Sequence, residues 1–271
     1  MGKVTSKHRR YLEKEFGSRA CFREAELVLY GHDIAAIPGL VKPFIGNTTP
    51  EAVVQPETIE ELVKLVRWAS AMGISLTPRG KASSGYGGVI PVKRGVVVDF
   101  RRMNKVIAVD KAGQTVTVQA GVVWEKLNME LARHGLTLRL YPTSAPASTV
   151  GGWLAQGGAG IGSYEAGWFR DNVLSAKVVL PDGSVKDFGG KELELISEAE
   201  GITGLISEVT VRVQALDDLE VAAVGCPDPH DLQRLVQAII DEKLPVWSLV
   251  FINPRMAELK NKVAPSETQR T

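Results

Sequence analysis

The chain has 271 residues, 44% of them hydrophobic and 23% charged, and its 32 Lys+Arg nearly cancel 31 Asp+Glu to leave a net charge of +1. That is a globular composition, sufficient for one or two domains. It excludes a disordered chain and leaves no field of one sign to bring the protein onto nucleic acid or an anionic membrane.

In chain order, residues 5–16 read as a helix capped by Thr5 or Ser6 and ended by Gly17. Its basic run Lys7-His8-Arg9-Arg10 passes into Glu13, Lys14 and Glu15, the pattern of a solvated face. Residues 30–50 carry Gly, Pro and Asn without period and read as loop, and Val53-Val54 is a short strand. Apolar residues at helical spacing predict a helix over 59–72, with Thr58 and Glu61 as a capping box and Gly73 as its stop. With a strand at 74–77 this makes a βαβ unit with parallel strands. Strands are predicted at 96–99, 106–109 and 115–119, and a helix at 123–133. Strands 174–180 and 184–188 flank the turn Pro181-Asp182-Gly183, and strand 206–213 follows. After Asp217-Asp218 the pattern restarts with strand 221–226, helix 230–242, strand 246–252, helix 254–262 and a polar tail.

No run of 18 apolar residues occurs, so no membrane span is expected, and the N-terminus lacks the apolar segment of a signal peptide. Cys21 and Cys226 are too few to hold an iron–sulfur cluster or a zinc ribbon unaided, and no metal site is expected. A reducing, cytoplasmic setting fits two unpaired cysteines.

The 27 glycines exceed the usual share of about 7%, and they concentrate in three stretches. The first, residues 78–88 (Pro-Arg-Gly-Lys-Ala-Ser-Ser-Gly-Tyr-Gly-Gly), begins where the strand at 74–77 ends. Ligands of open α/β sheets sit outside the carboxyl ends of strands. Glycine lets several backbone N–H groups converge on one anion, and Ser83 and Ser84 add hydroxyls, so this stretch reads as a pyrophosphate cradle. It is not a P-loop, because Tyr86 stands where Lys is required. The second stretch runs from Pro142 to Gly162. Its Gly158-x-Gly160-x-Gly162 imitates a nicotinamide Rossmann fingerprint, but the third Gly is misplaced and no strand leads directly in. Its small residues suit a backbone lying against a large planar ligand. The third stretch, Glu200-Gly201-Ile202-Thr203-Gly204-Leu205-Ile206, leads into the strand at 206.

In order and spacing these stretches resemble the flavin-binding oxidoreductase family typified by vanillyl-alcohol oxidase and p-cresol methylhydroxylase, nearest its glycolate oxidase/D-lactate dehydrogenase flavin subunits. The resemblance rests on Pro78-Arg79-Gly80 to Gly87-Gly88, Pro142-Thr143-Ser144 to Gly151-Gly152, Arg170-Asp171-Asn172-Val173, Leu180-Pro181-Asp182-Gly183 and Glu200-Gly201-x-x-Gly204. Trp153 departs from it, standing where the family has Asn.

The resemblance implies an α+β fold: a two-lobed FAD-binding domain over 1–218, with a small parallel or mixed sheet in one lobe and a larger antiparallel sheet in the other. Residues 219–271 would then begin an incomplete ferredoxin-like cap. It implies cofactor contacts from Pro78, Arg79, Gly80, Lys81, Ala82, Ser83, Ser84, Gly85, Gly87 and Gly88 at the pyrophosphate. Pro142, Thr143, Ser144, Thr149, Gly151, Gly152, Ala155, Gly157, Gly160, Ser163 and Tyr164 would run along the flavin and ribityl chain, with Gly201, Gly204 and Ile206 at the ribityl or adenine end. Covalent members carry a His in or near the first loop; none stands there here, so FAD is expected to be noncovalent.

The expected function is a dehydrogenase subunit oxidising a 2-hydroxy acid such as D-lactate or glycolate and passing electrons to an iron–sulfur or other acceptor subunit. The alternative is an FAD-carrying electron-transfer module whose substrate pocket another chain completes. No catalytic residue is assigned: His8, His32, His134 and His230 fall outside any catalytic motif, and Tyr164 and Arg170 are the polar residues nearest the flavin segment. The FAD subunit of a molybdenum hydroxylase fits poorly, since its Ala-Gly-Gly-Thr-Asp loop is absent.

Overall fold

The computed structural model describes residues 2–35 and 37–263; most of the polar tail lies outside them. The first lobe contains α1 (Ser6–Phe16), β1 (Ala20–Cys21), α2 (Glu24–Leu29), α3 (Lys42–Ile45), β2 (Ala52–Val54), α4 (Ile59–Met72), β3 (Leu76–Arg79) and β4 (Val96–Asp99). Its sheet has the order β1-β2-β4-β3, with β2 and β3 both parallel to β4 and β1 antiparallel at the edge. The βαβ expectation therefore has the right direction, but β4 inserts between the two strands that α4 connects. Every residue of β2 and β4 is buried, the pattern of strands covered on both faces. Thr58 caps α4 by accepting from Glu61 N–H, and Gly73 ends it in the left-handed conformation at φ +63°. The reciprocal half of the capping box does not form: the Glu61 carboxylate goes to Arg19 and to the Glu57 N–H.

The second lobe contains β5 (Val106–Asp110), β6 (Thr115–Gln119), α5 (Trp124–Arg133), β7 (Leu136–Leu138), α6 (Val150–Gln156), α7 (Ser163–Ala166), β8 (Val173–Val179), β9 (Val185–Gly189) and β10 (Leu205–Ala215). Its sheet is antiparallel, ordered β5-β6-β10-β8-β9, and β7 pairs the far end of β10. The two lobes share one buried cluster that includes Leu12, Leu65 and Val98 of the first and Val118, Leu154 and Val211 of the second.

Beyond β10 come α8 (Pro229–Asp241) and α9 (Pro254–Val263). Asp228 caps α8 by accepting from His230 and Asp231 N–H, ahead of Pro229 in the first turn. The strands expected at 221–226 and 246–252 do not form. Their apolar pattern is strand-like, but a strand needs a neighbour's ladder, and no sheet edge pairs with either segment. Trp247 fixes this region to the second lobe: its indole N–H donates to Arg139 O at 2.7 Å and its ring lies 5.8 Å from that of Tyr141.

Candidate functional site

The three glycine-rich stretches meet at one cleft between the lobes. Pro78, Arg79, Gly80, Gly88 and Val89 line it from the end of β3 and the loop that follows. Thr149, Gly151, Gly152 and Ala155 line it from α6 and its cap, and Glu200, Gly201, Gly204 and Ile206 from the approach to β10. Phe100 and Ala120 complete the wall.

Loop 80–88 is a row of hydrogen-bond donors. None of the N–H groups from Gly80 to Tyr86 bonds to another described residue. On a loop that is half-buried to exposed, these N–H groups are open to water or to an external acceptor. Asp33 anchors the far end of the loop: one carboxylate oxygen accepts from Gly87 N–H at 2.8 Å and the other from Ala35 N–H at 2.7 Å. Asp33 is almost fully buried. Its partner is too far along the chain for sequence alone to reveal.

Arg79, on the cleft wall, is also engaged within the first lobe. Its guanidinium donates to the carbonyls of Leu29, Tyr30 and His32 and lies 5.0 Å from the Tyr30 ring centre. It thereby ties the end of α2 to the end of β3. Burial lowers its pKa. Beside it the fully buried Asp99, at the end of β4, accepts from Tyr30 OH at 2.8 Å and Gln55 Nε2 at 3.1 Å and pairs with Arg101 at 2.6 Å. Burial first, then the Asp99 charge, pushes the Tyr30 hydroxyl up to about 12.

The sequence reading leaves α6 out, because Gly-Gly is a poor helix former. Packing accommodates it: Gly151 sits so close to the residue that follows β6 that a Cβ there would fall 2.5 Å from the Ala120 Cβ. The first N–H groups of α6 are already used, Val150 to Val122 O, Gly151 to Ala120 O and Gly152 to Thr149 Oγ1. The free donors near the cleft therefore do not come from the start of α6. Trp153, on the same helix, turns into the core, stacked on Phe169 at 4.4 Å and edge-on to Trp124 at 5.4 Å.

The remaining expected contacts lie off the cleft wall. Lys81, Ala82, Ser83, Ser84, Gly85 and Gly87 form the body of the donor loop. Gly160 abuts Tyr141 and Pro142, next to Thr143 and Ser144, and its N–H donates to Ser163 Oγ at 2.8 Å. Gly157 abuts Glu198, and Tyr164 is part-exposed on α7. Among the described residues no histidine lines the cleft.

Glu200 opens the stretch 200–206 that the resemblance places near the ribityl or adenine end of FAD. Its carboxylate lines the cleft, makes no hydrogen bond or ion pair to a described residue, and has its pKa raised by burial.

A cleft walled by glycines of three stretches, with unpaired backbone donors in the loop that leaves it, suits a nucleotide cofactor. The family model described as FAD binding domain matches residues 50–189. The chain belongs to this FAD-binding domain family, in agreement with the vanillyl-alcohol oxidase/p-cresol methylhydroxylase resemblance, and its cofactor is FAD. It is 30% identical over 237 residues to a D-lactate dehydrogenase of Archaeoglobus fulgidus, covering 84% of this chain and 52% of the relative. It is 30% identical over 217 residues to the glycolate oxidase subunit GlcD of Bacillus subtilis, covering 76% and 46%. Among solved structures, an alkyldihydroxyacetonephosphate synthase superposes with a TM-score of 0.71 at 29% identity, over 79% of this chain and 44% of that one. The chain thus spans about half the length of these relatives.

Proposed function

We propose that the chain is the flavin-bearing part of a dehydrogenase that oxidises a 2-hydroxy acid such as D-lactate or glycolate and passes the electrons to an iron–sulfur or other acceptor subunit. The observation that carries the cofactor reading is the meeting of the three glycine-rich stretches on one cleft, through Gly80 and Gly88, Gly151 and Gly152, and Gly201 and Gly204, at the start of a loop whose N–H groups from Gly80 to Tyr86 donate to no described residue. In this reading the row binds the pyrophosphate. Residues 149–155 and 201–206 wall the nucleotide, and 142–163 extend toward the flavin. FAD is noncovalent, since loop 80–88 offers no His. Bound flavin supplies the acceptor for the hydride lost from the hydroxyl-bearing carbon. The substrate class is taken from the D-lactate dehydrogenase and glycolate oxidase relatives.

Residues 1–218 would form the FAD domain and 219–271 the start of a cap. A cytoplasmic setting accords with free Cys21 and Cys226; among the described residues no helix is long and apolar enough to cross a membrane.

One observation favours the second reading, an electron-transfer module whose pocket another chain completes. Glu200 and Arg79 are the ionisable residues on the cleft wall, and Arg79 is committed to three carbonyls. Among the described residues, neither a histidine base nor a cation without a partner lines the cleft.

Anaerobic addition of D-lactate or glycolate to the FAD-loaded chain separates the two. Bleaching of the flavin by the chain alone supports the dehydrogenase. Bleaching that waits for a partner chain supports the module. No bleaching under either condition overturns the 2-hydroxy-acid proposal.

A further inference from the structure

We propose that the face built by residues 34–50 and 80–98 of the first lobe docks on an anionic lipid bilayer, lying in its interface without crossing it. This docking is independent of the substrate and of what the cleft holds.

The two segments are tied to each other at both ends. At one end Asp33 accepts from Gly87 N–H at 2.8 Å, and a Cβ built on Gly85 falls 4.0 Å from Ile34 Cγ1. At the other, Arg94 Nε donates to Thr49 O at 3.0 Å. On this strip Ile34, Leu40, Val41, Phe44, Tyr86 and Val92 are exposed, Leu40 to 84%, Phe44 to 86% and Tyr86 to 82%. Single exposed apolar residues are ordinary, but six on two tied loops call for a cover. The run from Ile34 to Ile45 carries one charged residue, Lys42.

Charge selects the occupant. Residues 34–50 and 80–98 contain Lys42, Lys81, Lys93 and Arg94 and no Asp or Glu. Lys81 and Lys93 are exposed and make no hydrogen bond or ion pair to a described residue, while Arg94 is shared with Glu51 at 4.0 Å. A net charge of +1 gives the whole molecule no pull toward a membrane. Cations near a bilayer act within about one Debye length, however, roughly 8–10 Å, so a local excess suffices. Apolar side chains flanked by cations are the pattern of a surface that lies in an anionic interface. A second copy of the chain is a poor cover. A two-fold contact sets the patch on its own image, where Lys81, Lys93 and Arg94 meet like charge with no acid of the patch between them. The bilayer supplies anionic headgroups for the cations and an acyl boundary for Leu40 and Phe44, and Tyr86 suits the headgroup level.

Flotation of the full chain, as purified, with vesicles of phosphatidylcholine alone or with phosphatidylglycerol added tests this, with a thermal melt of each variant as a check of folding. The wild type should bind the anionic vesicles about tenfold or more tighter than the neutral ones, and rising salt should weaken that binding. Leu40→Ser/Phe44→Ser should weaken it about 30-fold or more, and Lys93→Glu about tenfold, with unchanged melts. Val221→Ser, at an exposed apolar residue outside both segments, should bind as the wild type does. No binding of the wild type to anionic vesicles overturns the proposal. So does undiminished binding by a folded Leu40→Ser/Phe44→Ser, or a loss of the same size in Val221→Ser. A wild-type dimer that the double variant abolishes, with no vesicle binding, assigns the face to a second copy and likewise overturns it.

Discussion

Thr149 occupies the space that a side chain at position 80 would need: a Cβ built on Gly80 falls 2.5 Å from Thr149 Oγ1. The last turn of one lobe's strand and the helix cap of the other lobe meet here without room for a methyl group. The donor loop is therefore set against α6 by a contact that only glycine permits.

Gly80→Ala should weaken FAD binding by about tenfold or more, because the methyl group displaces either the loop or the Thr149 cap. Thr149→Ala alone should cost about 1 kcal/mol of stability through the lost cap. The double variant Gly80→Ala/Thr149→Ala should bind FAD better than Gly80→Ala alone, since the obstructing hydroxyl is gone. FAD titration and melting curves on the three variants check this.

Asp33→Ala should unpin the loop, since Gly87 and Ala35 N–H both lose their acceptor. A loss of about 1.5–3 kcal/mol is expected for hydrogen bonds to a charged group. Weaker FAD binding should accompany the lower melting temperature. A normal melt with normal FAD affinity would show that Asp33 does not organise the loop.

Trp153→Asn introduces the residue the family places at this position. Here it would remove a ring stacked on Phe169 and bury an amide in the core. A destabilisation of about 3–5 kcal/mol is expected, as for other large-to-small core changes, and is read from denaturant unfolding.

Two carboxyls should give opposite pH signatures. Glu61 is held below its ordinary 4.5, chiefly by its hydrogen bond with Arg19. Its contribution to stability is present above about pH 4.5 and lost as the pH falls through the lowered folded-state value. Glu200 is raised by burial, so the unfolded chain ionises it first. Stability is lost as the pH rises from the unfolded value through the folded one, and remains lower above it. At neutral pH, apo Glu61→Gln should melt below the wild type and apo Glu200→Gln at or above it. In acid, where the carboxyls are protonated, both differences should shrink.

Where one local signal dominates, the sequence was legible. Thr58 and Gly73 bound α4, and the Val-rich β4 and the Pro181-Asp182-Gly183 turn lie where the pattern places them. What escaped is tertiary in origin. The interposition of β4 between β2 and β3, the helix at Gly151-Gly152 and the failure of 221–226 and 246–252 to pair all depend on which distant segment offers a partner. The same holds at the site. Glycine clustering pointed to three stretches that do meet, but Asp33 beneath Gly87 and Glu200 opposite Gly88 are relationships between residues far apart in the chain.

The fate of the flavin when the purified protein is precipitated with acid bears on all of this at once. Noncovalent FAD in this cleft requires about one FAD per chain, recovered intact in the supernatant over a colourless pellet. Flavin that stays in the pellet, or a protein that purifies colourless and takes up no added FAD, would contradict it.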